Sequence, residues 1–263
     1  MSPAPEPAPL PRPSLTARRT AETRLEIARA AAVLFAERGA AVTADEIARA
    51  SGVALRTFYR YFRTKEEAVV PLLATGVQEW VDELAASPDG PDAPPVCETL
   101  ERAARRALTP ADAPAAESLR LTRGLLRAMP GDPALRAVWH RVHHDAEEAL
   151  VPVLGRLTGA GPLEVRLAAA AANTAMRVAV EQWAAGDGPP EGPRGPAALV
   201  ARSMRTLTAG MPELTGVHGR AGTRGRGGKE SSGRTARGRR GDGPAGPGKP
   251  GRRRSEEGPA AGR

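Results

Sequence analysis

The sequence predicts an all-α protein, and three kinds of observation support that prediction. Apolar residues recur at helical spacing over most of residues 23 to 209. Helix-start signals, in which Thr or Asp precedes such a run, occur along the same stretch. Gly and Pro separate the runs. The pattern indicates an N-terminal three-helix domain that contains a helix-turn-helix, then a second helical domain, with disordered termini.

The first helix and the turn after it are marked at both ends. The helix is expected to run from Thr23 to Arg38 and to stop at Gly39. Thr43 and Glu46 then have the spacing of a capping box, which satisfies free backbone N–H groups at a helix start. Gly52 lies where this second, short helix must stop and turn, because glycine accepts a positive φ at little cost.

A third helix is predicted from Ala54 to Phe62, after a turn of about three residues. Phe58 and Phe62 are four residues apart and should face inward. The side chains expected to face outward or to flank the core are Arg56, Thr57, Tyr59, Arg60 and Tyr61. Exposed tyrosines beside arginines on a helix-turn-helix predict a surface that binds DNA.

A further helix is expected to begin directly after the helix-turn-helix. Thr64 and Glu67 have the spacing of a second capping box. Lys65 would then lie in the first turn of that helix, beside free N–H groups that stabilise a phosphate oxygen. The segment Thr43–Lys65 therefore combines a helix-turn-helix with a phosphate-binding flank.

The run LFAERGAAVTADEIARASGVALRTFYRYFRTKEEAV resembles the N-terminal domain of the tetracycline-repressor (TetR) family of transcriptional regulators. The resemblance has no gap and includes the spaced pattern T-x-x-x-I-A, then G-V, then T-x-Y-x-Y-F-x-x-K. It implies an all-α homodimer that binds double-stranded DNA and carries a variable C-terminal domain for a small-molecule effector.

By position, the resemblance also implies roles for individual residues. The implied contacts to backbone phosphate fall on Thr57, Tyr59, Tyr61 and Lys65, and the residues nearest the base edges are Ala54, Leu55 and Arg56. Leu55 is apolar where some relatives have a hydrogen-bonding side chain, so Arg56 is expected to read bases directly. We also include Thr43, at the start of the first helix of the motif, in the predicted DNA-binding surface.

Charge is unevenly distributed along the chain, whose net charge is +8. Residues 216–263 contain 13 Arg or Lys and 4 Asp or Glu, whereas residues 67–215 contain 14 and 19. We therefore predict a disordered Pro-rich arm at 1–15, a DNA-binding domain at 16–66, a ligand-binding and dimerisation domain at 67–212, and a disordered Arg/Gly-rich tail at 213–263.

The second domain should contain five or six helices separated by Gly and Pro. The predicted spans are 65–86, 96–108, 115–129, 132–157, 162–185 and a last helix to about 209 that starts at Pro193 or Pro196. The last two helices are rich in Ala and have broad apolar faces. We expect Ala168–Val180 and Leu199–Leu207 to pack against a partner subunit, with Val178 and Met204 in the contact.

A ligand pocket is predicted among the helices of the second domain. The runs LLRAMPGDPALRAVWHRVHHDAEEAL and RLAAAAANTAMRVAVEQWAAG resemble, more loosely, a TetR subgroup with an acyl-CoA-like ligand-binding domain. That resemblance implies an acyl-CoA-like effector. The expected apolar wall is Leu121, Leu125, Trp139, Val142 and Met176, and Arg123 or Arg177 would meet an anionic end.

Two histidines raise the alternative of a metal site. His140 and His144 are four residues apart on one helix, a spacing at which both can bind one ion. Since no third ligand is apparent, a polar helix face or pocket lining is the preferred interpretation, and no metal is predicted.

Two further polar groups leave alternatives open. Arg120, Arg123 and Arg127 share one helix face, either as a clamp for an anionic ligand or as a solvated surface. Asn173 and Arg177 interrupt an Ala-rich helix. They form either a buried polar pair that needs a partner or a face turned to solvent.

Three functions therefore remain open: a ligand-responsive DNA-binding repressor, a metal-dependent sensor or enzyme using His140 and His144, and a non-specific nucleic-acid-binding protein driven by the basic tail. The repressor is preferred. No nucleophile elbow, phosphate loop or metalloprotease signature is present, so neither an enzyme nor a cofactor is expected. The single Cys97, the Pro-rich start and the lack of a long apolar run favour a cytoplasmic protein without a signal peptide or membrane span.

Overall fold

A computed structural model describes residues 14–90 and 92–215. Within these ranges the regular structure is helical and contains no β-strand, which confirms the predicted all-α class. None of the described helices has the length and apolar character needed to cross a membrane. Residues 1–13 and 216–263, on which most of the predicted arm and tail fall, lie outside the described residues.

The N-terminal domain consists of three helices: α1 Leu15–Arg38, α2 Ala44–Ala50 and α3 Leu55–Tyr61. A short 3₁₀ turn, Gly39–Ala41, joins the first two. Helix α1 begins earlier than the predicted Thr23, because Ser14 caps it by accepting a hydrogen bond from the backbone N–H of Ala17 at 3.1 Å.

The three helices enclose a small apolar core. Ile27 and Phe35 of α1, Ile47 of α2 and Phe58 of α3 are fully buried, and Phe62 is buried beside them. The predicted inward positions of Phe58 and Phe62 are therefore confirmed. The turn between α2 and α3 depends on Gly52, whose φ of 69° lies in the left-handed region that favours glycine.

Six longer helices follow the N-terminal domain. They are α4 Val70–Ala85, α5 Val96–Ala107, α6 Ala113–Ala128, α7 Pro133–Thr158, α8 Pro162–Ala185 and α9 Pro196–Thr208. The predicted span 65–86 divides into a 3₁₀ turn, Glu66–Val69, and α4. Pro71 lies in the first turn of α4, where a residue without an N–H is tolerated.

The second domain ends later than the sequence suggested. After α9, a short helix α10 spans Pro212–Thr215 and packs on α5. Its Leu214 is fully buried, so the domain extends past the predicted boundary at residue 212. The predicted tail at 213–263 therefore begins inside the packed structure.

The helices are arranged so that the two domains share one continuous core. Helix α7 packs between α4 and α8, and α5 packs between α4 and α9. Helix α6 packs on α8 on one side and on α1 on the other. Helix α1 thus contributes both to the N-terminal domain and to the interface with the second domain.

The contact between α1 and α6 depends on a glycine. A Cβ added at Gly124 of α6 would lie 2.7 Å from the Cβ of Ala36 on α1. That distance is shorter than the separation of about 3.5–4.0 Å at which carbon atoms attract. Gly124 therefore allows the two helices to approach more closely than any larger residue would.

We expect Gly124→Ala to destabilise the protein by about 1–3 kcal/mol, because overpacking outweighs the gain in helix propensity. The matched control is Gly155→Ala on α7, where an added Cβ meets no atom within 4 Å. That change should stabilise by up to about 1 kcal/mol. Urea denaturation of both variants measures the difference, and equal stabilisation by the two would contradict a tight contact at Gly124.

Candidate DNA-binding surface and ligand cavity

The capping box at the start of α2 is present as predicted. The backbone N–H of Glu46 donates to Thr43 Oγ1 at 3.3 Å, and the backbone N–H of Thr43 donates to Glu46 Oε2 at 2.8 Å. Glu46 also pairs with Arg38 at 2.7 Å. The hydrogen bonds from Thr43 and Arg38 lower the pKa of Glu46 to about 2, so the carboxylate stays charged and fixes the entry of α2.

The capping box engages the hydroxyl of Thr43, a residue that the sequence predicts on the DNA-binding surface. The Thr43 hydroxyl donates to Glu46 Oε2 at 2.8 Å while it accepts from the Glu46 N–H. A phosphate contact from Thr43 would have to share or replace these bonds. Such a contact stays a prediction, and the structural role of Thr43 is the capping of α2.

Helix α3 presents its first turns to solvent. Ala54 is its N-cap, and Leu55 and Arg56 are exposed in its first turn. Within the described residues, the Arg56 guanidinium makes no ion pair or side-chain hydrogen bond. Arg56 is therefore available to contact a base edge or a phosphate oxygen.

The aromatic residues of α3 and its flank are held by ring contacts. Tyr59 is 54% exposed and meets the buried Phe58 edge to face, with ring centroids 5.4 Å apart. The guanidinium of Arg60 lies 5.0 Å from the centre of the Tyr61 ring. Thr57 is half-buried. The predicted DNA-contacting residues 54–61 thus lie on one short helix and its cap, anchored by Phe58.

Lys65 has a structural role that the sequence did not suggest. Its Nζ donates to the carbonyl of Ala40 at 2.6 Å and to that of Val42 at 2.8 Å, and lies 5.9 Å from the centre of the Phe35 ring. The ammonium therefore ties the end of the helix-turn-helix to the loop before α2. An ammonium has three N–H donors, and Glu66 Oε1 also lies 3.6 Å from Nζ. The predicted phosphate contact would therefore share the third donor with this carboxylate.

The second predicted capping box forms in part. The backbone N–H of Glu67 donates to Thr64 Oγ1 at 3.2 Å, as expected. The Glu67 carboxylate accepts from the backbone N–H of Arg63 at 3.0 Å rather than from that of Thr64. The turn after Lys65 is 3₁₀ and not α-helical, so the predicted helix starts only at Val70.

A cavity of about 470 Å³ lies between helix α1 of the N-terminal domain and helices of the second domain. Its wall is formed by α1, α4, the end of α5 and the loop after it, α6, α7 and α8. Residues that line it from these elements include Leu25, Arg29, Leu72, Val77, Arg106, Leu119, Trp139, His143, Met176 and Val180. Its size is within the usual range of about 300–1,000 Å³ for small-molecule sites.

The sequence located the wall only in part. Trp139 and Met176 line the cavity as predicted. Leu121, Leu125 and Val142 are buried but belong to the packed core rather than to the wall. They share helices with wall residues but lie on faces turned to neighbouring helices, which the helical period alone does not distinguish.

Arg123 and Arg127 do not line the cavity, so they do not form the anion clamp that was one of two alternatives, and the predicted ligand contact of Arg123 is corrected. Arg123 donates to the carbonyl of Gly186 at 2.5 Å and stacks on Trp183 at 4.5 Å. Arg127 donates to the carbonyls of Ala184 and Gly186, both at 2.7 Å. Both arginines therefore satisfy free carbonyls at the C-terminus of α8. Neither alternative considered from the sequence, clamp or solvated face, describes this role.

Arg120 and Arg177 are also engaged elsewhere. Arg120 pairs with Glu117 on the surface of α6. Arg177 pairs with Glu181 at 3.1 Å, and Glu181 accepts the indole N–H of Trp139 at 2.7 Å. Arg177 thus supports the orientation of a wall residue but does not itself line the cavity, which corrects its predicted contact with a ligand.

Asn173 is half of a buried polar pair whose other member is His143. The Nδ1 of His143 lies 2.8 Å from Asn173 Oδ1, and Asn173 Nδ2 donates to Glu147 Oε2 at 3.3 Å. His143 is 3% exposed, and its ring meets Trp139 edge to face at 4.1 Å. Burial is the main cause that lowers the pKa of His143 to about 4, so the ring is neutral at pH 7.

The other two histidines of α7 do not form a metal site in the described residues. His140 and His144 are exposed. Among residues 14–90 and 92–215, no group of three or more His, Cys, Asp or Glu side chains is placed to hold a metal ion. These histidines fit the preferred interpretation of a polar helix face.

The two residues predicted for the dimer contact have different surroundings. Val178 of α8 is 44% exposed, whereas Met204 of α9 is 1% exposed in the core of the protomer. Met204 therefore cannot contact a partner subunit, which corrects that prediction. Helices α8 and α9 pack on each other, and many apolar residues of Ala168–Val180 and Leu199–Leu207 are buried within the protomer.

Residues 27–69 match the family model described as "Bacterial regulatory proteins, tetR family". The match runs from the middle of α1, through the helix-turn-helix, to the end of the 3₁₀ turn before α4. This segment therefore carries the N-terminal DNA-binding domain that the model of the TetR family describes.

Other known proteins resemble the chain only at low sequence identity. No curated protein matches the chain. Salmonella enterica GusR is 18% identical (72% of this chain, 95% of that one, TM-score 0.49). The fatty acid degradation regulator FadR from Bacillus halodurans is 22% identical (72% and 96%, TM-score 0.46). The TetR family repressor AlkX from Dietzia sp. is 20% identical (73% and 98%, TM-score 0.46). Similarities at this level do not indicate an operator or an effector for this chain.

The buried neutral His143 should make stability depend on pH. Its pKa is about 4 in the folded protein and 6.5 in the unfolded chain, so only the unfolded chain binds the proton between these values. Stability should therefore fall as the pH drops from 6.5 to 4, by about 3 kcal/mol in all. The groups near the ring are Glu147, Arg177, Glu181 and His140.

Urea midpoints at pH 7 and pH 5 measure this loss. His143→Phe should remove it, because phenylalanine does not titrate, and the exposed His140→Phe should retain it. A wild-type protein that is equally stable at both pH values would contradict a depressed pKa.

Proposed function

We propose that the protein is a sequence-specific repressor that binds a palindromic operator as a homodimer and releases it when a small molecule occupies the cavity. The observation that carries this proposal is the exposed first half of α3, with an unpaired Arg56 and an exposed Tyr59 on a folded helix-turn-helix core. Helices of this kind enter the major groove with their N-terminal residues near the base edges.

The position of the cavity supports release by a ligand. Its wall includes Leu25 and Arg29 of α1, a helix of the DNA-binding domain, together with residues of α4. A bound molecule would therefore contact elements of both domains. A ligand shifts such a protein only by its differential affinity for the DNA-binding and released arrangements, and contacts to α1 and α4 offer a source of that difference.

Selection of bound sequences from a random DNA library tests the proposal. The full-length protein should enrich a palindrome whose half-sites are about one helical turn apart, or a multiple of it. A variant that lacks residues 216–263 should enrich the same sequence with lower affinity. If no sequence is enriched and the truncated variant no longer binds DNA, the chain binds nucleic acid non-specifically through its basic tail.

Arg56→Ala should reduce the preference for the selected operator over random DNA by about 1–3 kcal/mol, because arginine reads guanine through two hydrogen bonds. Arg60→Ala is the charge-matched control from the next turn of α3, where the guanidinium stacks on Tyr61. It should weaken binding to both DNAs by a similar factor. Competition binding at one salt concentration measures both ratios. An unchanged preference in Arg56→Ala would rule out base readout by Arg56.

The dimer contact is proposed for an apolar stripe on α8 and the adjacent face of α9. Leu163, Leu167 and Val178 are exposed on α8 at spacings of four and eleven residues, which place them on one face of the helix. Leu207 of α9 is also exposed. Four of the largest exposed apolar side chains among the described residues thus lie on two helices that pack on each other.

Val178→Glu should give a folded monomer and lower operator affinity by about 100-fold or more, because two half-sites are then no longer bound together. Val33→Glu is the matched control, since Val33 is exposed to a similar extent on α1. Sedimentation analysis gives the oligomeric state. A dimeric Val178→Glu protein would place the contact elsewhere. Met204→Glu is unsuitable for this test, because it buries a charge within the protomer.

The effector itself is proposed as a small, largely apolar molecule. An acyl-CoA-like effector stays a prediction that rests on the looser sequence resemblance, since neither Arg123 nor Arg177 lines the cavity. Arg29 and Arg106 are the cationic side chains that line the cavity, and Arg106 is paired with Glu83 at 3.0 Å. Glu79 and Asp112 line it as well, so the wall carries charges of both signs.

A further inference from the structure

His143 combines three features that make it a candidate for contact with a ligand. It lines the cavity, it is 3% exposed, and its Nε2 is buried without a hydrogen-bond partner among residues 14–90 and 92–215. A buried ring nitrogen without a partner costs free energy unless a ligand or water satisfies it. The hydrogen-bonding character of this atom therefore bears on what the cavity binds.

The neighbours of His143 determine which ring nitrogen carries the proton. Glu147 is a carboxylate and only accepts hydrogen bonds, so the Asn173 group that faces it must be the amide NH₂. Asn173 Oδ1 then faces His143 Nδ1 at 2.8 Å, and Nδ1 must be the donor. In the neutral ring, Nε2 is consequently unprotonated and can only accept a hydrogen bond.

The other uncharged polar groups of the wall have already used their donors. The hydroxyls of Thr75, Thr109, Ser118 and Thr122 each donate to a backbone carbonyl of their own helix or its end. The indole N–H of Trp139 donates to Glu181. The uncharged side chains of the described wall can therefore only accept further hydrogen bonds, and His143 Nε2 is the acceptor among them that is buried without a partner.

We propose that the cavity binds an uncharged, largely apolar molecule bearing a hydroxyl, whose O–H donates to His143 Nε2. This assignment rests on the proposed function only in taking the cavity as the effector site. His143 recognises the hydroxyl directly, and Asn173 and Glu147 act as positioning residues that hold the accepting tautomer. An ether of the same shape lacks the proton and leaves Nε2 unsatisfied.

The test uses 4-butylphenol and 4-butylanisole, which differ only by O-methylation, with the full-length protein and calorimetry. The phenol should bind the wild-type protein about tenfold more tightly than the ether, the factor expected for one buried hydrogen bond. In His143→Phe the two should bind within about a factor of two, because the acceptor is lost while an aromatic ring remains. His140→Phe, on the exposed face of the same helix, should keep the wild-type preference.

A second measurement determines the tautomer of His143 directly in the wild-type protein. Nitrogen-15 shifts of the histidine rings at pH 7 should show one ring, absent from His143→Phe, that is protonated at Nδ1 and bare at Nε2, and its Nε2 signal should move when the phenol is added. The opposite tautomer would overturn the proposal. So would equal affinity for the two compounds, a preference that survives in His143→Phe, or no binding of the phenol up to its solubility limit.

Neither measurement involves DNA, so their outcome is separate from that of the operator selection. A protein that selects no DNA sequence but distinguishes the phenol from the ether would refute the repressor and retain the hydroxyl site. A protein that selects an operator but does not distinguish them would refute the hydroxyl site alone.

Discussion

The packing of α1 against α6 is the constraint on which the rest of the structure depends. One face of α1 carries Ile27 and Phe35, the centre of the core beneath the helix-turn-helix. Its neighbouring residues Leu25 and Arg29 line the cavity, and Ala36 approaches Gly124 of α6. A single helix therefore contacts the core of the helix-turn-helix, the cavity and α6. A side chain at position 124 would separate the two domains.

Several cationic side chains of the described residues act on helix ends and loops. Lys65 holds the carbonyls before α2, and Arg123 and Arg127 hold those at the end of α8. Each of these cations satisfies carbonyls that a helix or turn leaves free. A cation in a sequence is therefore a weak indicator of an anionic ligand when helix ends lie nearby. On α3, by contrast, the Arg56 guanidinium has no partner in the described part of the chain.

The uncharged polar side chains of the cavity wall are almost completely satisfied within the described residues. Its hydroxyls and its indole donate to internal acceptors, and the Asn173 amide links His143 to Glu147. Satisfied groups keep the wall in one conformation, since each would lose a hydrogen bond on moving. The unsatisfied Nε2 of His143 is then the point at which the wall can discriminate between ligands of similar shape.

Local signals in the sequence determined the helices and the helix-turn-helix. The Thr43–Glu46 cap and the Gly52 turn act within a few residues, so they can be predicted from the sequence alone. The same holds for the start of α7, where Asp132 accepts from the Leu135 N–H and Pro133 occupies the first helical position. Tertiary structure decided which faces of those helices are exposed. Met204 is buried and Val178 is not, although both lie in apolar runs, because α9 packs on α8 and α5. The partner of Asn173 lies 30 residues away, and such contacts depend on how helices are placed in space, which periodicity within one helix does not encode.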